Sequence, residues 1–251
     1  MRIGTIKQIW RFAVKSMGGE QLDSCTVGMR GIPGDRGWAV RDETANKLAT
    51  GSRFPLLMQC SARYREPPEN GFVPHVDMRL PDGGQIGSDL VDVNARLTEL
   101  LGKPVSLSQL SAGDGSETGL IQLDTARGTY FDVAQIHVVT SASLVEMKRV
   151  EPAADWDVRR FRPNFFVETE AGLAGLLEAE WKGRTLRIGE VELLCEIPCE
   201  RCVMTIHAQT ELPKDESIFR TITKEAGKNL GAYACVLKPG EVRVGDIVEL
   251  N

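Results

Sequence analysis

Histidine is scarce in this sequence and cysteine is scattered, and together the two shortages exclude most protein metal-site templates. His75, His137 and His207 form no H-x3-5-H pair, and only Cys199 and Cys202 make a C-x-x-C pair. Cys25, Cys60, Cys195 and Cys235 supply no second pair, so the four-ligand template of a structural zinc site is not met. Six scattered cysteines among 251 residues also make no disulfide framework, which points to a reducing cytosol. No run approaches the ~20 apolar residues that a membrane helix requires. The N-terminal Met1-Arg-Ile-Gly-Thr-Ile6 alternates like a strand and has no signal-peptide character. Positive charge is not in excess: 30 Lys and Arg against 35 Asp and Glu leave a net charge of −5. Bulk electrostatics therefore draw in neither nucleic acid nor acidic lipid. Neither GxxxxGK[ST] nor GxGxxG follows a candidate strand, which excludes an ordinary nucleotide P-loop and a Rossmann site.

What is present is a chain with 42% apolar and 26% charged residues, long enough for one large domain or two small ones. Short β-prone runs separated by turn residues fill most of it: Ile3 to Phe12, Gln21 to Val27, Gly37 to Arg41 and Leu56 to Arg63 come first. Pro81-Asp-Gly-Gly84 is a hairpin signal. Further on, His137 to Val139, Asn164 to Glu168, Thr185 to Glu196, Tyr233 to Leu237 and Val242 to Leu250 read as strands. Three helices are expected. The first runs from about Asp92 to Leu101 with Gly102 as its stop, and the second from a Thr140 or Ser141 cap to about Arg149. The third runs from an Asp215 cap to Ala226. Residues 111–119 are the most linker-like stretch and mark either a boundary between domains at 1–110 and 111–251 or a loop over one continuous structure. The pattern is a β-rich α+β chain of barrel type with a few peripheral helices, and it lacks the alternation of βαβ units.

The sharpest chemical signal is Cys195-Glu-Ile-Pro-Cys-Glu-Arg-Cys-Val-Met-Thr-Ile-His207. A thiolate is the nucleophilic and soft-metal-ligating form of cysteine, and a neighbouring guanidinium, here Arg201, favours it. The pair fits half a metal site, a redox dithiol, one functional cysteine beside a structural one, or two packed thiols without chemistry. A thioredoxin-like dithiol precedes a helix, whereas Val203-Met-Thr-Ile206 reads as a β-prone continuation.

Elsewhere, loops gather cations and hydroxyls. Lys15-Ser16 ends the first strand, Asp35-Arg36 opens another, and Thr140-Ser141 starts a helix. Arg159-Arg-Phe-Arg-Pro-Asn164 crowds three arginines and an amide together. Singly, each is an exposed loop or a turn-side ion pair worth ~0–1 kcal/mol. Jointly, in an acidic protein, they suit a compact anion, because guanidinium groups and helix N-termini both donate to phosphate oxygens.

Pro198-Cys-Glu-Arg-Cys-Val-Met-Thr205, Gly231-Ala-Tyr-Ala234 and Pro239-Gly-Glu-Val-Arg-Val-Gly-Asp246 resemble the MOSC domain, named for the C-terminal part of molybdenum cofactor sulfurases. Trp10 to Met17 and Arg30 to Val40 resemble the β-barrel domain that precedes it. The resemblance implies a MOSC-type β-barrel and the molybdenum cofactor, Mo-molybdopterin, with Cys202 as catalytic residue and metal ligand. In amidoxime-reducing relatives, the positions matching Lys15, Ser16, Arg36, Arg160, Arg162 and Asn164 surround molybdopterin. Thr140, Ser141, Arg201 and Tyr233 are further candidates for holding it. Cys199 reads as a packed or surface thiol, His137 as structural, and His207 as a strand-end residue or a proton donor.

The activity implied is a molybdopterin-dependent oxidoreductase that reduces hydroxylamines or amidoximes. Its electrons come from a separate ferredoxin- or flavoprotein-like donor, because no NAD, flavin or iron–sulfur motif is visible. A rival reading is a cofactor or sulfur carrier with Cys202 as a persulfide site, although the pyridoxal-phosphate half of the sulfurases is not seen. A third is a β-rich interaction module without cofactor. The sequence opens on the barrel motif, unlike mitochondrial relatives with a targeting and anchor segment, so a cytoplasmic protein of bacterial type is expected. It also departs from the family, with His207-Ala-Gln-Thr-Glu-Leu-Pro213 in place of an Asp-Pro-x-Thr-Gly-like turn and Glu200 in place of a frequent serine.

Overall fold

A computed structural model describes residues 1–69, 72–109 and 134–251 of the chain. In the first part lie β1 (Arg2–Arg11), β2 (Glu20–Leu22), β3 (Ser24–Val27), β4 (Trp38–Asp42), β5 (Lys47–Leu48), β6 (Ser61–Tyr64), β7 (Val76–Arg79), β8 (Gln85–Gly87), α1 (Val93–Leu101) and β9 (Val105–Gln109). From residue 134 onward lie β10 (Ile136–Thr140), α2 (Ser141–Val150), β11 (Phe165–Thr169), β12 (Thr185–Ile188), β13 (Val191–Glu200), α3 (Glu216–Glu225), β14 (Asn229–Lys238), β15 (Gly240–Arg243) and β16 (Ile247–Leu250).

Seven strands close a barrel in the order β11-β10-β14-β13-β12-β16-β1, with β1 pairing back onto β11. Only β10 and β11 run parallel within it; the other neighbours are antiparallel. Closure removes the exposed edges that an open sheet must protect. The first strand is thus a stave of a barrel whose other staves all come from beyond residue 134. Ile3, Ile6 and Ile9 of β1 all sit in the barrel core, although a spacing of three cannot keep one face of a regular strand. The ladder slips between Arg2 and Gly4 against β16 and between Ile6 and Gln8 against β11. Each irregularity turns the strand so that the next isoleucine faces inward.

A second core lies among β4, β6, β7, α1 and β9, around Trp38, Leu57, Met78 and Leu97. α2 and α3 pack outside the barrel around Met147, Trp156, Phe161, Ile218 and Ile222. The expected β-rich α+β barrel and its three helices are present. The boundary expected at residues 110 and 111 lies outside the described residues.

Several expected strands are divided. Thr185 to Glu196 is a hairpin turning at Gly189, and Val242 to Leu250 is broken by a turn at Gly245; both glycines have positive φ. Gln21 to Val27 splits at Asp23. Pro55 starts a 3-10 turn over Pro55–Gln59, so only Ser61–Tyr64 of the run from Leu56 is strand. Val203–Ile206 is likewise a 3-10 turn and no strand, because β13 ends at Glu200 and Thr205 folds back onto the Cys202 carbonyl. Among the described residues, no helix is long and apolar enough to cross a membrane.

Candidate functional site

The ends of β10, β13 and β14 meet the loops after β1 and β3 around a cavity of about 170 Å³. A water occupies ~30 Å³ of liquid, so the space exceeds what isolated waters fill. Lys15, Ser16 and Arg36 approach from the N-terminal loops, Arg160 and Arg162 from the turn before β11, and Arg201, Cys202 and Tyr233 from β13 and β14. Eight of the eleven residues singled out from the sequence therefore line one cavity.

The arginines are held from behind by the backbone. Arg160 is fully buried and donates from Nε to the Asp155 carbonyl at 2.8 Å and from Nη2 to the Pro213 carbonyl at 2.9 Å. Arg162 donates from Nη1 to the Met17 carbonyl, and its guanidinium stands 4.2 Å over the Phe12 ring. Arg36 pairs with Asp35, reaches the Arg162 carbonyl at 3.3 Å, and lies 4.5 Å from the centre of the same Phe12 ring. Arg201 donates from Nη2 to the Phe161 carbonyl at 2.8 Å.

These contacts leave Arg160 Nη1, Arg162 Nη2 and Arg201 Nε buried without a hydrogen-bond partner among the described residues. An unsatisfied buried donor costs ~1–3 kcal/mol, more when charged, so three in one cavity describe a socket for acceptor oxygens. Burial, with Arg36 and Arg201 nearby, pushes the Arg162 pKa well down, as repulsion among gathered cations requires.

Ser16, Arg36 and Arg162 all adopt left-handed backbone, with φ of 68°, 52° and 54°. For residues other than glycine, such conformations cost ~1–3 kcal/mol and concentrate at functional sites. Here they turn three polar side chains into one space.

Cys202 is exposed, and the other five cysteines are buried or half-buried. It caps the 3-10 turn, its carbonyl accepting from Thr205 N at 3.2 Å and Thr205 Oγ1 at 3.1 Å. Its accessible thiol at the cavity wall suits a soft metal ion. Among the described residues no cluster of three or more His, Cys, Asp or Glu could hold a metal, so any metal here depends on ligands that its cofactor brings.

The sequence reading set Arg201 beside the Cys202 thiolate and left Cys199 as a packed or surface thiol. The structure turns Arg201 the other way: Nη1 donates to Cys199 Sγ at 2.8 Å and lies 3.4 Å from His137 Nε2. Alternation along β13 faces Cys199 inward, next to Tyr233 of β14, which also bonds its sulfur. Burial raises the Cys199 pKa, partly offset by Arg201 and Tyr233. Cys199 is therefore built into the wall that holds Arg201.

His137, read from the sequence as structural, lines the cavity. Burial first, then Arg201, pushes its pKa well below 6.5, so it is neutral at neutral pH. Gly231, at φ 92°, makes room for it, because a Cβ there would lie 2.4 Å from His137 Nε2. Phe161 and Thr205 also line the site and went unnoticed, although Phe161 stands inside the arginine run.

Thr140, Ser141 and Asn164 are not among the lining residues. Thr140 Oγ1 caps α2 through Ser143 N, and the buried Glu178 carboxylate accepts from Thr140 N at 2.6 Å and from the Ser143 hydroxyl. That helix N-terminus already has its anion. Ser141 bonds Thr169. Asn164 accepts from His137 N at 3.0 Å and donates to the Trp10 carbonyl at 3.3 Å, so it positions the strand that carries His137. His207 is half-buried and off the cavity wall, its pKa lowered by burial and by Lys214.

A closed seven-strand barrel whose strand ends meet an N-terminal β-domain over a cationic, cysteine-bearing cavity defines a class of protein. The family model for the MOSC domain matches residues 125–249, and that for the MOSC N-terminal beta barrel domain matches 3–119. The chain belongs to the MOSC family, whose domains are associated with molybdenum cofactor binding. It is similar to mitochondrial amidoxime reducing component 2 of Bos taurus, 25% identical over 299 residues, and of Rattus norvegicus, 26% identical over 289. Each alignment covers 98% of this chain and 83% of the relative. The crystal structure of the YUAD protein from Bacillus subtilis shares the fold at a TM-score of 0.50 and 16% identity, covering 99% of this chain and 95% of that one.

Proposed function

We propose that this protein is a molybdenum-cofactor-dependent reductase of N-hydroxylated compounds such as hydroxylamines and amidoximes. The observation that carries the reading is the conjunction of three unpartnered buried guanidinium donors and one exposed thiol around a single cavity. Phosphate oxygens would satisfy the donors on Arg160, Arg162 and Arg201, with Lys15 and Arg36 adding charge. Cys202 would supply a thiolate to the metal. When bound, the cofactor supplies a redox centre able to pass two electrons to an N–OH group, which with two protons gives the amine or amidine and water. The chain's own share is to hold that group: Cys199, Tyr233 and His137 fix Arg201, and neutral His137 adds no further positive charge to the wall. Asn164 supports the cavity from behind by holding the strand that carries His137. Electrons would come from a separate ferredoxin- or flavoprotein-like donor.

Burial of Cys199 behind Arg201 favours this over a sulfur carrier, in which a second accessible thiol would help to release a persulfide. The test is metal analysis of protein made in a cofactor-competent host, followed by turnover of benzamidoxime with a chemical one-electron donor. Stoichiometric molybdenum and repeated turnover are expected. Zinc in its place, or loaded protein inert towards several N-hydroxylated substrates, would overturn the reading.

A further inference from the structure

Behind Arg162 lies a second cavity of about 160 Å³ that the cofactor reading does not use. Trp10, Phe12, Met58 and Pro163 give it flat, apolar walls, and the Trp10 and Phe12 rings stack with centroids 6.4 Å apart at an interplanar angle of 19°. Two of its lining residues carry buried donors without partners among the described residues: Gln209 at Nε2 and Arg162 at Nη2. Arg162 itself is 8% exposed and lines both cavities. The other cation, Arg159, already gives Nε and Nη2 to Asp157 at 2.9 and 2.8 Å and has Glu211 at 3.6 Å, so it adds little free charge.

Aromatic walls with unpartnered donors beside them select a particular chemistry. A saturated chain would not use the flat walls, and an amine would find two donors facing it. A flat ring carrying a carboxylate or ring-oxo oxygen satisfies both walls and donors. We propose that this cavity binds a small aromatic or heteroaromatic carboxylate, its ring against Trp10 and its oxygens on Gln209 and Arg162. The proposal goes beyond the cofactor reading and stands without it. Arg162 lines both cavities, so their occupants are linked through it.

The test is calorimetric titration of cofactor-free protein with nicotinate, with acetate and 3-methylpyridine as probes that keep only the carboxylate or only the ring. Saturable nicotinate binding is expected, with both fragments much weaker. Trp10→Ala, Gln209→Leu and Arg162→Ala should each weaken it by roughly tenfold or more, whereas Arg160→Ala should leave it unchanged. Trp10→Phe should restore most of the loss seen in Trp10→Ala, and it keeps the test decisive where the alanine variant fails to fold. Three results would overturn the proposal: no saturable binding at millimolar nicotinate, binding indifferent to both Trp10 and Gln209, or binding lost in Arg160→Ala but kept in Gln209→Leu. The last would put the carboxylate in the cofactor cavity. Molybdenum loading is not needed, so failure here is distinct from failure of the reductase reading.

Discussion

Replacing Arg160 by methionine asks whether its charge serves a ligand or the fold. The residue is fully buried, two of its nitrogens bond backbone carbonyls, and the third, Nη1, has no partner among the described residues. Methionine refills most of the volume without the charge. In the ligand-free protein, two effects oppose each other. The Asp155 and Pro213 carbonyls lose a donor, at ~1–3 kcal/mol each, while relief of a desolvated cation returns several kcal/mol. The weak contact to Asp155, 3.6 Å away and 48% exposed, changes neither side much. Ligand-free stability should therefore shift by no more than ~1–2 kcal/mol in either direction. With the cofactor bound, the variant loses a charge-assisted bond of ~1.5–3 kcal/mol, equivalent to retention weakened ~10- to 150-fold. Urea unfolding of both forms, with molybdopterin measured after gel filtration, reads the two numbers separately. Equal destabilisation of both forms with full cofactor retention would refute the reasoning, since Arg160 would then be a tie within the fold.

Cys202→Ser should abolish activity, whereas Cys199→Ser, which keeps an acceptor for Arg201, should retain most of it; turnover of the two variants decides it. Cys199→Val should differ from Cys199→Ser by ~1–3 kcal/mol of stability in urea, because the Arg201 donor then faces an apolar side chain. Gly231→Ala should lower the melting temperature markedly, since it meets His137 Nε2 and takes on a left-handed strain of ~1–2 kcal/mol; a wild-type melt would disprove the contact. His137, with its folded pKa depressed below the ordinary 6.5, binds fewer protons folded than unfolded once pH drops through that value. Its contribution to stability is complete above pH 6.5 and is lost as the pH falls below it, so His137→Phe should flatten the acid limb of stability measured in urea.

Local signals in the sequence carried far. Asp215 and Thr140 cap helices where Asp and Thr should, because a capping interaction spans only three residues. The convergence of Lys15, Arg36, Arg160 and Arg162 on one cavity was legible because cations gathered on loops stand out against an acidic background. What escaped notice depends on contacts distant in sequence. His137 looked like any strand residue, since its place at the cavity follows from β10 pairing with β14 and from Gly231 opposite. For Arg201 the sequence offers the Cys202 thiolate or a cofactor as partners, and the bond to Cys199 two positions back depends on how the chain leaves β13. Val203 to Ile206 has β-prone composition and no strand partner, so its carbonyl at Cys202 finds Thr205 instead. The left-handed backbone at Ser16, Arg36 and Arg162 has no compositional sign, since none of the three is a residue type that prefers it.

The placement of β1 bears on how the protein is made. This strand is made before its barrel neighbours β11 and β16, the latter ending at Leu250. Until β16 has been synthesised, Ile3, Ile6 and Ile9 have no closed barrel core to enter, and the wait exposes an apolar strand to any passing sheet edge. The lysine and arginine loops that follow β1 are likewise held away from Arg201 and Cys202 until closure. A chain that stops short of β16 cannot close the barrel, so the cavity shared by the loops after β1 and by Arg201 and Cys202 forms only once that strand has docked.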